Sequence, residues 1–471
     1  MIETVLMVWM VTGAAGATAA STGTPTSTSG PAPTSTSTST PAPAPTSSST
    51  QPPTPAPATL SLSAALAELD AQNLTLAQAR ARADEASGVA RQAAAPLLPT
   101  LSAGATYTRN SDDAIVSLGA LLPLQPGQKP PAPIAIQPLE QLVVSGAARV
   151  PILVPNAWFE LSAARSGARA AALSADAARS DVRAGFAQAA HAAIAAEDAV
   201  TASEHAAASA AELARSADRR VTAGTAAPLD ALRARTEQVR RESDLVRARA
   251  ELERARLALG ILLGRETPVR IEVPASPADA PAEERDALVA AALAGRPELA
   301  SRRARVDAAD AQVRGAWARL APQLSAGASI FRSDVAYPTG EKDGWRATVD
   351  LSWPLYDGGL RYGKRREAEA QRAGAEAAAE AERLGVVQQV EDAHRDLGVA
   401  VERLRLAGTQ RGLAADAAAS ARRSYEAGVA SSLDVIDAND REYAADIQLA
   451  DARARAAQAR IALDRAAGRA P

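Results

Sequence analysis

The side chains best placed to do chemistry in this chain of 471 residues are carboxylates beside a glycine turn. Tyr425-Glu-Ala-Gly428-Val-Ala-Ser-Ser-Leu-Asp434-Val-Ile-Asp437 reads as a turn entering a helix. Gly428 supplies the permissive conformation, Ser431 or Ser432 the N-cap, and Asp434 and Asp437 fall in the first helical turn. Acidic groups there complement the positive helix end, so capping and dipole stabilisation account for both. A second copy, Val221-Thr-Ala-Gly224-Thr-Ala-Ala-Pro-Leu-Asp230, keeps the same glycine-to-aspartate spacing. The chain is therefore a tandem repeat folded about two such turns. Catalytic chemistry has no comparable support. His191, His205 and His394 stand alone on helical tracts, with no His-Glu-x-x-His spacing, phosphate loop or nucleophile elbow. The reading is a non-enzyme without cofactor or metal.

The elements that position these turns follow from composition. Alanine dominates, aromatics are 3%, and charges are spread evenly through long tracts, the profile of long, closely packed helices. A net charge of −3 with interleaved signs argues against nucleic acid as a partner. The absence of cysteine excludes disulfides, thiolate metal sites and a lipidated N-terminal Cys. Residues 1–20 carry an apolar centre, Val5-Leu-Met-Val-Trp-Met-Val11, and end in small residues, as a secretory signal peptide does. The tract 21–59 is nearly all Ser, Thr, Pro and Ala and is expected to be a disordered linker. No later run is apolar and long enough for a transmembrane helix, so any membrane crossing falls to strands.

Each repeat, 60–264 and 283–468 about a linker 265–282, opens its central part with a period of two. Leu101-Ser-Ala-Gly-Ala105 follows Pro99, and Leu324-Ser-Ala-Gly-Ala328 follows Pro322. Strands are expected at about 100–109 and 141–154, separated by a long Pro-rich loop, and at about 323–332 and 345–354. Long helical tracts then run to tips at about 221–230 and 425–437 and return. Leu229, Leu232, Thr236, Val239, Ser243, Val246 and Ala250 recur at heptad spacing, as do Leu433, Ile436, Asp440, Tyr443, Ile447, Ala450 and Ala454. Four strands cannot close a barrel, and an open edge is not tolerated in lipid. Three chains would supply twelve strands.

Pro96-Leu-Leu-Pro99 with Leu101–Tyr107, Arg296-Pro-Glu-Leu299, Trp353-Pro-Leu-Tyr-Asp-Gly-Gly359 and Tyr425-x-x-Gly428 through Asp437 carry a resemblance to the TolC family of outer-membrane efflux and export proteins. It covers about 61–468. The resemblance implies a mainly α protein with a membrane β-barrel, in which a homotrimer forms a twelve-stranded barrel and an α-helical periplasmic tunnel. It further implies a passive exit duct of a tripartite efflux or type I secretion system, in the outer membrane and in contact with its lipid. The duct is reached by an inner-membrane pump only indirectly, through a periplasmic adaptor (membrane fusion) protein. On the same resemblance Asp434 and Asp437 line a cation-binding constriction, and Asp230 and Tyr425 make the tip gating contacts. Gly224, Gly428, Val429 and Leu433 meet the adaptor. The basic residue that completes the family's tip lock is replaced here by Ala430, with Arg422 and Arg423 the nearest substitutes. The competing reading is a periplasmic coiled-coil scaffold or adaptor, which explains the heptads but not two strand hairpins at matched positions.

Overall fold

A computed structural model describes residues 58–116, 134–273, 284–337 and 340–469. The expected signal segment 1–20 and the linker up to residue 57 lie outside the described residues, as do the middle of the first loop and of the inter-repeat linker. The first repeat runs β1 (Ala58–Ser61), α1 (Leu62–Gln72), α2 (Leu74–Ala94), β2 (Thr100–Arg109), β3 (Ala114–Val116), β4 (Ile134–Gln137), β5 (Glu140–Leu153), α3 (Pro155–Thr222), α4 (Pro228–Leu262) and β6 (Val269–Glu272). The second runs α5 (Arg285–Gly295), α6 (Pro297–Ala318), β7 (Gln323–Ser333), β8 (Asp343–Ser352), α7 (Leu360–Glu426) and α8 (Ser432–Ala466).

Four of the strands form one antiparallel sheet in the order β2-β5-β7-β8, so the two repeats meet at its centre through β5 and β7, while β1 pairs in parallel with β6 and β3 pairs with β4. Register sorts its two faces. Leu324 opposes Leu351, Ala326 opposes Val349 and Ile330 opposes Trp345, while β5 and β2 add Val144, Val150, Leu101 and Tyr107 to the same side. The other side carries Thr106, Ser145, Arg149, Ser325, Ser329, Arg346, Thr348 and Asp350. Arg149 donates to Ser325 at 3.1 Å there, and Phe331 lies across Gly344, leaving no space for a side chain. From Trp345 to Trp353, one residue past β8, the apolar side runs about 26 Å along the strand, or about 20 Å in height at a barrel strand's tilt of about 40°, most of a barrel's apolar band.

Prolines open helices: Pro155 starts α3 directly after β5, and Pro297 starts α6 directly after α5, each at a first-turn position that needs no N–H. At 68 residues α3 is about 100 Å long. The long helices form a layer in the order α4–α3–α8–α7, with α2 against α3 and α6 across α3 and α7. In α4 the side buried within the chain is Ala231, Ala234, Arg241, Ala248, Leu252 and Leu259. The heptad stripe of larger residues expected to pack is exposed instead, Leu232 by 61%, Val239 by 65% and Val246 by 69%. Alanine on the buried side lets the axes approach closely, since interaxial distance follows side-chain size.

Short helices brace the hairpin ends. Asn73 caps α2, accepting from Thr75 N at 2.9 Å and Leu76 N at 3.1 Å, and donates to Leu262 O at 2.8 Å. In the second repeat Glu298 pairs with Arg465, which also meets Asp181 at 2.7 Å, while Arg296 donates to Gln389 at 2.7 Å. Leu299 sits with Leu288, Val386, Val390 and Leu463 in a buried cluster. The Arg-Pro-Glu-Leu motif is thus a joint between α6 and the end of α8.

Candidate functional site

Both helical hairpins turn on the same backbone device. Gly224 has φ +71° and Gly428 has φ +78°, the left-handed region that favours glycine. Thr225 N donates to Arg220 O and Gly224 N to Val221 O; Val429 N donates to Ser424 O and Gly428 N to Tyr425 O. This paired pattern satisfies carbonyls that the helix end leaves open. Nothing surrounds a side chain placed at either glycine, and Val429 and Leu433 are exposed beside them.

After the second turn Ser431 caps α8. Its hydroxyl accepts from Asp434 N at 3.3 Å, and Asp434 Oδ2 accepts from Ser431 N at 2.8 Å and from its hydroxyl at 2.7 Å, a reciprocal capping box. The Ser431 hydroxyl and backbone N–H hold the Asp434 carboxyl below its ordinary range. Asp437, one turn on, pairs with Arg441 at 2.8 Å and is exposed. Both carboxylates therefore lie on the open side of α8. Three histidines are scattered through the chain, and among the described residues no cluster of His, Cys, Asp or Glu could hold a metal.

Asp230 and Tyr425 face inward. Asp230 Oδ1 accepts from the buried Ser432 hydroxyl at 2.9 Å, and Arg233 lies 4.0 Å away. Tyr425 is buried with Leu213, Ala214, Ala217, Ala231, Ala234 and Val435. Arg220 stacks on its ring at 4.2 Å and donates to Glu426 O at 2.9 Å. The Tyr425 hydroxyl is buried without a hydrogen-bond partner among the described residues. Ala430 packs against this cluster, and Arg422 is committed to Glu442 at 3.0 Å. The basic neighbour of Tyr425 is thus Arg220, from the other hairpin. Its contact and that of Ser432 join opposite repeats, and no local pattern marks them; Ser432 is visible in sequence only as an alternative cap.

Among the described residues no helix is long and apolar enough to cross a membrane. One face of the four-stranded sheet is apolar. The family model for outer membrane efflux proteins matches residues 65–265 and 288–469, one stretch in each repeat. No curated protein matches the sequence. Among solved structures, the outer membrane protein VceC of Vibrio cholerae is 20% identical, with TM-score 0.70, over 86% of this chain and 96% of that one. The CmeC outer membrane channel of Campylobacter jejuni is 17% identical, with TM-score 0.72, over 86% and 85%. The open state of the MtrE outer membrane channel of Neisseria gonorrhoeae is 19% identical, with TM-score 0.70, over 87% and 89%. At these identities the structures speak for the fold, and the family model speaks for descent. A two-copy family match, laid over paired strand hairpins and long helical hairpins, makes this chain a member of the outer membrane efflux protein family, seated in the outer membrane with its helices in the periplasm.

Proposed function

We propose that three copies of the chain form a passive exit duct, a twelve-stranded barrel continued by a helical tunnel, closed at rest by the helical tips. The observation that carries this reading is that both flanks of the molecule are unfinished. The sheet ends in β2 on one side and β8 on the other, each with an open row of backbone groups beside an apolar face. The helical layer ends in α4 and α7. On α4, Leu232, Val239 and Val246 lie exposed at steps of seven, and on α7 so do Val399, Leu406 and Leu413. Counted from their glycine turns, Val239 and Leu413 stand at matching heights, as do Val246 and Leu406. One copy's α7 therefore offers a seam for the next copy's α4, and β8 does the same for β2. A coiled-coil scaffold outside the membrane would leave the apolar sheet face without a role.

Within that assembly Asp434 and Asp437, on the open side of α8, would give a ring of six carboxylates that attracts polyvalent cations. Asp230 and Tyr425 hold the tip, and the exposed turns at Gly224, Gly428, Val429 and Leu433 receive a periplasmic adaptor, through which an inner-membrane pump supplies the energy. The same proposal divides the chain into a signal at 1–20, a linker at 21–59, and repeats at 60–264 and 283–468. The test is single-channel conductance of the purified protein in a planar bilayer, with hexamminecobalt added from either side. A small stable conductance blocked only from the tunnel side is expected; an elongated water-soluble particle with no channel overturns the reading.

A further inference from the structure

Past the end of β8 the chain runs Trp353-Pro-Leu355-Tyr356-Asp-Gly-Gly-Leu360-Arg-Tyr362-Gly-Lys364-Arg365-Arg366 into the first two turns of α7. Its apolar and aromatic members lie open. Trp353, Leu355, Tyr356, Leu360 and Tyr362 are each more than half exposed, Tyr356 by 85%. Trp353 continues the apolar side of β8, and its Nε1 donates to Leu320 O at 3.1 Å, which holds the ring at the end of α6. Asp357 fixes the turn: its carboxylate accepts from Gly359 N at 3.3 Å, Arg361 N at 3.2 Å and Arg361 Nε at 2.8 Å. Gly358 and Gly359 supply φ +67° and +92° there. The strip is thus held by its own contacts against the edge where sheet becomes helix.

Four cations and no anion stand between Leu360 and Arg366. Two are engaged. Arg361 pairs with Asp357, and Arg365 meets Glu369 at 3.1 Å while lying over the Trp317 ring, 4.4 Å from its centroid. Lys364 and Arg366 are exposed and have no acidic partner among the described residues. The next residue, Glu367, accepts from Gln371 at 3.2 Å. Cations at the start of a helix run against its dipole, so these two are not placed for the benefit of α7. Counted back from the glycine turns, the matching stretch of α3 is Asn156 to Ser162, which holds one anion and no cation. Trp158 stands where Tyr362 does, but Glu160 stands where Lys364 does. The aromatic position belongs to both repeats; the cations belong to one.

We propose that Lys364 and Arg366, with the exposed strip from Trp353 to Tyr362, form a collar that binds anionic phospholipid headgroups of the periplasmic leaflet. The proposal rests on the duct reading above, in which the sheet is barrel wall in lipid. The collar continues the apolar side of that wall at the end from which the helices enter the periplasm. Depth agrees. Tyr and Trp settle at headgroup level, and the polar layer of one leaflet is about 5–8 Å deep. Lys364 and Arg366 stand about 6–9 Å along α7 from Leu360, so their heads fall among the phosphates while their stems lie along the apolar strip. Charge names the occupant. A zwitterionic headgroup brings its own ammonium to two cations, whereas a phosphatidylglycerol headgroup brings only its phosphate. Each cation near an anionic surface is worth about fivefold in binding.

The experiment reconstitutes the full-length protein in phosphatidylcholine vesicles and titrates in brominated phosphatidylglycerol or brominated phosphatidylcholine. Bromine quenches nearby tryptophan, and Trp158, Trp317 and Trp353 stand at the start of α3, the end of α6 and the end of β8, so quenching reports which lipid occupies this rim. Wild type is expected to favour phosphatidylglycerol on the order of tenfold, and less as salt rises. Lys364→Gln with Arg366→Gln is expected to bring the ratio close to one, while Lys364→Arg with Arg366→Lys keeps it. Arg395→Gln, far down the same helix, is expected to change nothing. A wild type without preference, or a double Gln variant that retains it, overturns the collar and leaves the duct standing. Loss of the trimer in the double Gln variant also overturns it, by placing the two cations in the seam between copies. A wild type that never enters the vesicles takes both readings down.

Discussion

The Ser432 hydroxyl lies 2.9 Å from Asp230 Oδ1, so the first turn of α8 is tied to the first turn of α4 across the two repeats. Ser432 is buried, and the hydrogen bond ends on a carboxylate, which places its worth at about 1.5–3 kcal/mol. Ser432→Ala is expected to speed amide hydrogen exchange over 431–436 by about tenfold. Asp230→Asn retains an acceptor and is expected to change exchange far less. Equal protection in wild type and Ser432→Ala would mean that the tip is held elsewhere.

Asp434 and Asp437 differ in their local duties, which allows their proposed role at a constriction to be isolated. Asp434 closes the capping box, whereas Asp437 meets only Arg441 on its own helix among the described contacts. Asp437→Asn should therefore leave the fold alone and still weaken block by hexamminecobalt, and the double replacement by Ala should weaken it further. Unchanged block in the double variant removes both residues from the narrow point.

The two faces of β8 give a paired test. Val349 opposes Ala326 on the apolar side, and Thr348 opposes Gly327 on the polar side. Val349→Asp places a charge against lipid at a cost of about 2 kcal/mol per chain, and is expected to lower the yield of membrane-inserted protein. Thr348→Asp is expected to insert normally. The reverse result would assign the faces the other way round.

Acid should loosen the joint at Glu298. Burial raises the carboxyl's pKa, but Arg465, the Glu298 backbone N–H and Arg296 outweigh it, so the net displacement is downward. A depressed carboxyl contributes stability that is fully present above its unfolded value, about 4.3, and lost as pH falls through the folded value. Glu298→Gln is expected to be less stable than wild type at neutral pH, with the gap closing below about pH 4. Urea melts across pH read this directly.

Much of the fold is legible in the residues because each feature has a local cause. A shared proline followed by Leu-Ser-Ala-Gly-Ala sets off each strand hairpin, and the glycine-to-aspartate spacing marks each tip. The choice of buried side on α4 is not legible in the same way. Two heptad series run along that helix, and the bulkier one, through Leu232 and Val239, looks like a core by hydrophobicity alone. The chain buries the alanine series instead, because small side chains let α3 come close, and leaves the larger residues outside. At the tip, Arg220 on Tyr425 and Ser432 on Asp230 are contacts between repeats, which spacing along one segment does not encode. The position of Arg241 reads as an ordinary surface arginine until Asp440 and Tyr443 are seen beside it.

The pairing of β5 with β7 at the centre of the sheet joins the second strand of one repeat to the first strand of the other. Contact between α3 and α8 joins the repeats in the same sense within the helical layer. In a closed ring of three chains, β8 meeting β2 and α7 meeting α4 would be those same two junctions again, now between molecules. The object then has near-sixfold symmetry, with every seam drawn from one template. A half-length ancestor could have built it from six identical pieces, and duplication with fusion would have freed each half to diverge, as the unequal loops of the two strand hairpins record.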